Sequence, residues 1–530
     1  MFGRGPSAAL ESVIMNQQQQ TSISQRCEPT SGRRLGVILI CALPVIWQSS
    51  LGVARATDSV APLADAAQQK DTSGVKLLLQ MGANVNAAQA DGMTALHWAA
   101  HLDKPLLVKR LIEHKVNVNV TNRYGVSPLT LACRNGSRPI VQQLLDAGAD
   151  PQTVLRGGET ALMTAARTGR IGPVKALLKA GAAVNARDDN DQTAVMWAAA
   201  EGHTKVVQGL IEAGADFLTP LPSGFSPLFF AVREGRTDVV KLLLERGADV
   251  NEVLKPRSRG RREHTTALLL AVENGHFETA EALLQAGADP NAAPAGYTAL
   301  HAITWVRRPL LGDTDPAPIG SGKISSLEFV RLLLKSGADI NARYDQESLN
   351  GGGRYNGGDA QFVKAGATTF LLAARNSDLP LMQLLLDSGA DWTIPNAIDC
   401  TALLAAAGVG ALGSGDELPG TEAEAIEAVR RLLERGADIN DVTQTGETAI
   451  HGAAYQERPQ LIRFLAEQGA DADLWNRKNK FNWTPLLIAR GYRPGNFRPS
   501  PKTITAVEEV MQSANLPIPP AELPSETPQR

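Results

Sequence analysis

A seven-residue phrase of the form Thr/Ser-Ala/Pro-Leu-x-x-Ala-x returns along this 530-residue chain, usually 33 residues after its last appearance. It reads Thr94–Ala100, Ser127–Cys133, Thr160–Ala166, Thr193–Ala199 and Ser226–Val232. It recurs from Thr266, Thr298, Thr368, Thr401, Thr448 and Thr484, and a worn copy starts at Ala61. A fixed period of this size means stacked copies of one small unit, because such a unit cannot bury its own apolar face. The pattern points away from a single globular core with a cleft. A chain of this kind is built to hold other molecules.

The copy from Asp91 shows the physics of one unit. Asp91-Gly92 is a turn signal, since Gly takes the positive φ of a tight turn without steric cost. Thr94 is placed to cap the next helix by accepting from its unpaired backbone N–H groups. A first helix is expected over Ala95 to His101, with small Ala99 and Ala100 allowing close approach of a neighbour. A second is expected from Leu106 to Glu113, its Leu107, Val108, Leu111 and Ile112 forming one apolar face. In other copies that second helix stops at Gly148-Ala149-Asp150, Gly247-Ala248-Asp249 or Gly436-Ala437-Asp438. A Gly just past the last apolar turn is the expected left-handed cap.

These segments resemble the ankyrin repeat. Thr94-Ala95-Leu96-His97-x-Ala99-Ala100, Glu201-Gly202-His203, Val239-Val240-Lys241-Leu242-Leu243-Leu244 and Gly247-Ala248-Asp249-Val250-Asn251 match its signature piece by piece. The resemblance covers residues 58–512 and about twelve units. It implies an all-α fold, an ankyrin-repeat solenoid of antiparallel helix pairs with short β-hairpin-like fingers, and an activity of protein binding. Gly366 to Ala374, Glu422 to Asn440 and Gly446 to Tyr455 further resemble exported bacterial ankyrin-repeat proteins.

The overall formal charge is −3. The first 56 residues hold five Arg and two acids, leaving 47 basic and 53 acidic groups beyond them, net −6. Bulk charge gives no case for nucleic acid as a partner. Residues 1–56 read as an export signal region. Arg33-Arg34 precede an apolar stretch over 35–47, and Ala54-Arg55-Ala56 supplies the small residues of a cleavage site after Ala56. The apolar stretch is short for a membrane span. The long segment before it makes initiation at Met15 a second reading, and a retained signal anchor or an organellar transit sequence are others. Cleavage places the mature chain in the periplasm or outside the cell, with no stable membrane span. Cys27 and Cys41 leave with the signal; Cys133 and Cys400 lie seven units apart, so no intrachain disulfide is expected.

After Ser226 the phrase returns at intervals of 40, 32, 70, 33, 47 and 36 residues. The excess marks insertions at 252–265, 307–326, 343–366 and 409–421, and a Pro-rich tail at 513–530 reads as disordered. Gly320-Ser321-Gly322-Lys323 is similar to a phosphate loop, but Ala317 stands at the first Gly position and Ile324 at the metal-binding hydroxyl. His97 and His101 have the spacing of a metal pair, yet the resemblance assigns His97 to bridging adjacent turns, as it does His301 and His451. No catalytic, metal or cofactor motif emerges, so no enzyme activity and no cofactor are expected.

One position carries a sharper signal. The residue closing the first helix is Arg134, Arg167, Arg233 and Arg375 in four units, and His101, Trp305 and Tyr455 in others. Repetition in every unit makes these a ladder along the expected concave face. Tyr124, Arg156, Phe225, Tyr297 and Trp483 fall on the fingers. By resemblance these are the slots that binding ankyrin proteins vary, and Arg, Tyr and Trp are the residues enriched at interface hot spots. The expected function is an exported scaffold that binds a protein or peptide through its concave face and fingers. The alternative is an accessory or assembly subunit of an exported enzyme or redox complex, acting through its inserted loops.

Overall fold

The computed structural model describes residues 60–254, 264–309, 318, 320–345, 362–410, 419–492 and 498–520. The export region expected over 1–56 lies outside them, as do the middles of all four insertions and residues 521–530. Among the described residues the chain is a succession of helix pairs in two compact units, one over 60–198 and 205–216, the other over 199–204 and 217–520.

The first unit holds α1 (Pro62–Gln68) and α2 (Thr72–Gln80), α3 (Ala95–His101) and α4 (Pro105–Glu113), α5 (Pro128–Arg134) and α6 (Arg138–Asp146), and α7 (Ala161–Arg167) and α8 (Ile171–Lys179). Most of α9 (Ala194–Glu201) and α10 (Thr204–Glu212) completes it. First helices pack on first helices, α1 on α3, α3 on α5 and α5 on α7, and second helices likewise. The second unit contains α11 (Pro227–Arg233) and α12 (Thr237–Glu245), α13 (Ala267–Glu273) and α14 (Phe277–Gln285), and α15 (Ala299–Arg307) and α16 (Ser326–Lys335). It continues with α17 (Thr369–Arg375) and α18 (Leu379–Asp387), α19 (Ala402–Ala407) and α20 (Glu422–Leu433), α21 (Ala449–Tyr455) and α22 (Pro459–Glu467), and α23 (Pro485–Ala489) and α24 (Pro501–Ser513). The twelve expected units are all present as helix pairs.

The phrase explains each first helix. Its opening Thr or Ser is the N-cap, and the side chains of Thr94, Ser127, Thr160, Thr266, Thr368, Thr401 and Thr484 accept a backbone N–H three residues on. In most repeats the fifth and sixth helical residues are small and fully buried, as with Ala99 and Ala100 or Ala373 and Ala374. Second helices are amphipathic; Val239, Val240 and Leu243 are buried while Lys241 and Glu245 are exposed. Gly148 and Gly247 close their helices at φ 88 and 98 with no atom within 4 Å of a notional Cβ. Backbone conformation selects Gly there, not lack of space.

Three kinds of hydrogen bond join successive repeats. In the first, Nε2–H of His97 donates to the Val126 carbonyl at 3.0 Å while Nδ1 accepts from the Thr94 N–H. His301 repeats this with Ala367 and Thr298, and His451 with Trp483 and Thr448. In the second, an amide side chain grips the cap of the next repeat at both ends. Asn119 donates to the Gly148 carbonyl and accepts from the Asp150 N–H, and Asn251 does so with Gly287 and Asp289. In the third, a finger backbone N–H donates to the preceding finger, as Arg123 to Asp91 and Asp345 to Gly296.

The fingers are tight turns more than strands. They contain isolated bridges at Ala88–Thr94 and Val154–Thr160, and the ends of the 252–265 insertion form an antiparallel pair, β1 (Val253–Leu254) with β2 (Thr265–Thr266). Insertions 252–265 and 343–366 extend fingers, whereas 307–326 and 409–421 extend the loop between a first and a second helix. The start of the tail is held: the Arg490 guanidinium donates to the Pro519 and Pro520 carbonyls, so residues 514–520 fold back rather than trailing away.

Burial pushes the His301 and His451 imidazoles down to about 4, and His97 moves in the same direction for the same reason. Below pH 6.5 the unfolded chain takes up protons that the folded rings refuse, so stability falls as pH drops and levels off near pH 4. The second unit should lose on the order of 3 kcal/mol per histidine across that window. Urea midpoints measured from pH 7 to pH 4 check this, and His301→Gln with His451→Gln should flatten the slope.

Candidate partner-binding face

The residue closing each first helix does not stand alone. In four repeats the residue at this position, seven after the phrase Thr/Ser, meets the finger residue just ahead of the phrase, eight positions earlier. Arg167 pairs with Glu159 at 3.7 Å. The Arg233 guanidinium lies over the Phe225 ring at 5.5 Å and the Phe230 ring at 5.3 Å, and it pairs with Glu234 at 2.9 Å. Trp305 meets Tyr297 edge-on at 5.0 Å, and the Tyr297 hydroxyl donates to Glu273 at 2.6 Å. One helical turn before the closing residue a third position adds apolar surface, filled by Trp98, Trp197 or Phe230. The three positions together form a strip along the first helices of each unit. The sequence pattern brought out the closing residue and, in Phe225 and Tyr297, two of its finger partners; Glu159 and the middle position were missed, though a spacing of minus one and plus four around the phrase Thr/Ser locates both.

In the first unit, Arg134 and Arg167 end the adjacent helices α5 and α7, and both are half-buried. The Arg167 guanidinium also sits 5.5 Å over Trp197 on the next repeat. Tyr124 and Arg156 lie on successive fingers; Arg123 covers Tyr124 at 4.8 Å and donates to its hydroxyl, and Arg156 is exposed. His101 packs against Trp98, and burial with the neighbouring Arg134 charge lowers its pKa, so it is neutral near pH 7.

In the second unit the ladder is largely occupied by the chain itself. Lys364 lies 5.7 Å over the Trp305 ring, Phe362 sits 4.7 Å beneath the Arg375 guanidinium, and Tyr344 stacks on Tyr297 at 5.5 Å. All three covering residues come from the ends of the 343–366 insertion. Two expected contact residues prove to be interior. Tyr455 is 3% exposed and Trp483 is 9% exposed, packed with Ala454 and Ile488 against Phe481 and Tyr492. The Tyr455 hydroxyl donates to Glu447 and accepts from Asn479. Burial raises the Glu447 pKa, and the hydrogen bonds it accepts from the Tyr455 hydroxyl and the Asn479 amide oppose the shift.

The motifs weighed for other chemistry have structural employment. His97 uses both ring nitrogens to join repeats. Ser321 of the Gly320–Lys323 segment donates its N–H to His276 Nδ1, while the Lys323 N–H donates to Glu278. Cys133 and Cys400 are free thiols, fully buried, with pKa pushed up by burial.

The family described as "Ankyrin repeats (3 copies)" matches residues 63–155, 148–220 and 421–495, and "Ankyrin repeats (many copies)" matches 228–284, together more than half of the chain. The chain belongs to the ankyrin-repeat family. Human ankyrin repeat and SOCS box protein 6 is 29% identical over 248 residues, 46% of this ankyrin-repeat chain and 47% of that protein. The leucine-rich repeat serine/threonine-protein kinase 1 of Caenorhabditis elegans is 36% identical over 121 residues, 23% of this chain and 5% of that one. The chain thus spans less than half the length of these relatives. Among solved structures, the human ASB11 ankyrin repeat domain matches at 27% identity with a TM-score of 0.37, covering 46% of this chain and 98% of that one.

Tyr455→Phe leaves Glu447 and Asn479 short of a buried partner and should destabilise the C-terminal repeats by ~1–2 kcal/mol. Hydrogen exchange in α21 and α23 reads that loss. Unchanged protection would return Tyr455 to the set of surface contacts.

Proposed function

We propose that this ankyrin-repeat protein is an exported scaffold that captures a protein or peptide along the strip formed by its fingers and first helices. The observation that carries the reading is the placement of cations and aromatics. Arg167, Arg233 and Arg375 each close a first helix and each lie over an aromatic ring. Exposed ion pairs contribute only about 0–1 kcal/mol, so fold stability gives little reason to keep guanidinium groups at one stereotyped position. Stacking on a ring holds the planar group in place and lowers the ordering cost of docking.

The experiment is charge reversal at Arg134, Arg167 and Arg233 together, followed by pull-down from an envelope fraction and mass spectrometry. Recovery of the partner should fall below a tenth of wild type, while circular dichroism stays unchanged. Equal recovery removes this strip as the binding surface.

Export rests on the N-terminal segment alone: Arg33-Arg34, the apolar stretch over 35–47 and Ala54-Arg55-Ala56. We place the mature chain in the periplasm or outside the cell, starting at Thr57. Amino-terminal sequencing of the purified chain is the check, and a product beginning at Met1 or Met15 would contradict cleavage.

A specific observation also favours the accessory-subunit reading. The 307–326 insertion leaves α15 through two clamped arginines, Arg307 on Asp378 and Arg308 on Glu424. The two ion pairs fix the described start of that insertion against the next two repeats. Under that reading, capture depends on the inserted loops more than on Arg134 or Arg167.

A further inference from the structure

The two units differ in how much of the strip their own residues cover. In the second, Lys364, Phe362 and Tyr344 lie on Trp305, Arg375 and Tyr297, Tyr455 is buried, and the closing position of α13 is Glu273. In the first, two adjacent repeats present cations at both levels. Arg134 and Arg167 close α5 and α7, which pack directly on each other. Arg123 and Arg156 stand 33 residues apart, at the same position of successive fingers, and both are exposed. The four arginines form a basic patch spread over two adjacent repeats, two at helix ends and two on fingers.

Acids flank it: Asp91 is on the finger before, and exposed Asp189 and Asp191 are on the finger after, beside exposed Arg187. Inside it, Glu159 is the chain's own carboxylate, pairing with Arg167 and accepting from the Thr164 hydroxyl. A carboxylate therefore already occupies this row. The rings of Tyr124 and Trp197 lie under Arg123 and Arg167 and fix two of the four cations.

We propose that this patch is the docking site for an extended acidic segment of the partner, with two carboxylates three residues apart. The claim deepens the reading of the strip as the binding surface and rests on it. Packed neighbouring helices lie about 8–10 Å apart. A polyproline-type strand advances about 3.1 Å per residue with three residues per turn, so every third side chain falls on one side roughly 9 Å from the last. That matches one repeat. Carboxylates closer together would crowd a single arginine, and ones farther apart would meet the acids on the bordering fingers. Planar guanidinium groups also favour the bidentate geometry that a carboxylate offers.

The test uses the full chain and fluorescein-labelled proline/serine peptides carrying two glutamates, read by fluorescence anisotropy. Peptides of one composition place the glutamates adjacent, three apart or five apart. The three-apart peptide should bind about tenfold tighter than either isomer, the scale on which well-placed charge pairs discriminate. Arg134→Gln with Arg167→Gln should erase that preference, and Glu159→Gln, which removes the internal competitor, should tighten binding several-fold. Equal affinity for all isomers, or a labelled oligothymidylate binding tighter than every peptide, overturns the proposal. If the triple charge reversal abolishes partner capture while the peptides show no spacing preference, the three-residue register falls and the strip stands. If capture is also unchanged, both fall.

Discussion

The bond between one repeat and the next is the interaction on which this protein depends. A helix pair of some 33 residues has too little interior to fold alone, and the lone polar groups at its turns would be costly to bury unpaired. Both problems have one solution. The buried alanines of each first helix let the next come close, and that approach brings the His97 ring within reach of the Val126 carbonyl and the Asn119 amide within reach of Gly148 and Asp150. Packing and hydrogen bonding are therefore satisfied by the same contact. Where the ring is absent, as in the repeats with Thr130, Met163 or Leu371 at its position, the amide grip and the finger backbone bonds carry the join.

Much of this was legible in the residues because the signals are local. Thr/Ser caps, small residues in the first helix and Gly past the second each act within a few positions, so the twelve helix pairs and their edges could be read directly. The insertions were legible as broken spacing. What escaped depends on the neighbouring repeat. Tyr455 and Arg375 occupy the same place in their units, yet Tyr455 is enclosed by the final finger, through Asn479 and Trp483, and Arg375 is half open. Periodicity predicts equal environments; bulky aromatics on a neighbouring finger and the return of a long insertion break that equality, and neither is written at the position itself.

The candidate face shows the same division. Its closing residues follow from the period, while the finger partner that each one touches depends on how the side chain folds over its own helix. Arg167 chooses a carboxylate, Arg233 a phenyl ring and Trp305 a tyrosine. Chemistry thus changes from repeat to repeat on a constant frame. That is how an ankyrin-repeat protein acquires specificity without altering its fold.

The arginines that leave α15 alter the physics of the stack. Arg307 is held by Asp378, the N-cap of α18, and Arg308 reaches Glu424 at the start of α20, holding that carboxylate down to about 2. An array whose members touch only adjacent members behaves as a one-dimensional chain, free to melt anywhere along it. Arg308 skips a member, joining the eighth pair to the tenth. A second-neighbour link of this kind couples the opening of three consecutive pairs, so this stretch should open more cooperatively than one joined only by adjacent contacts.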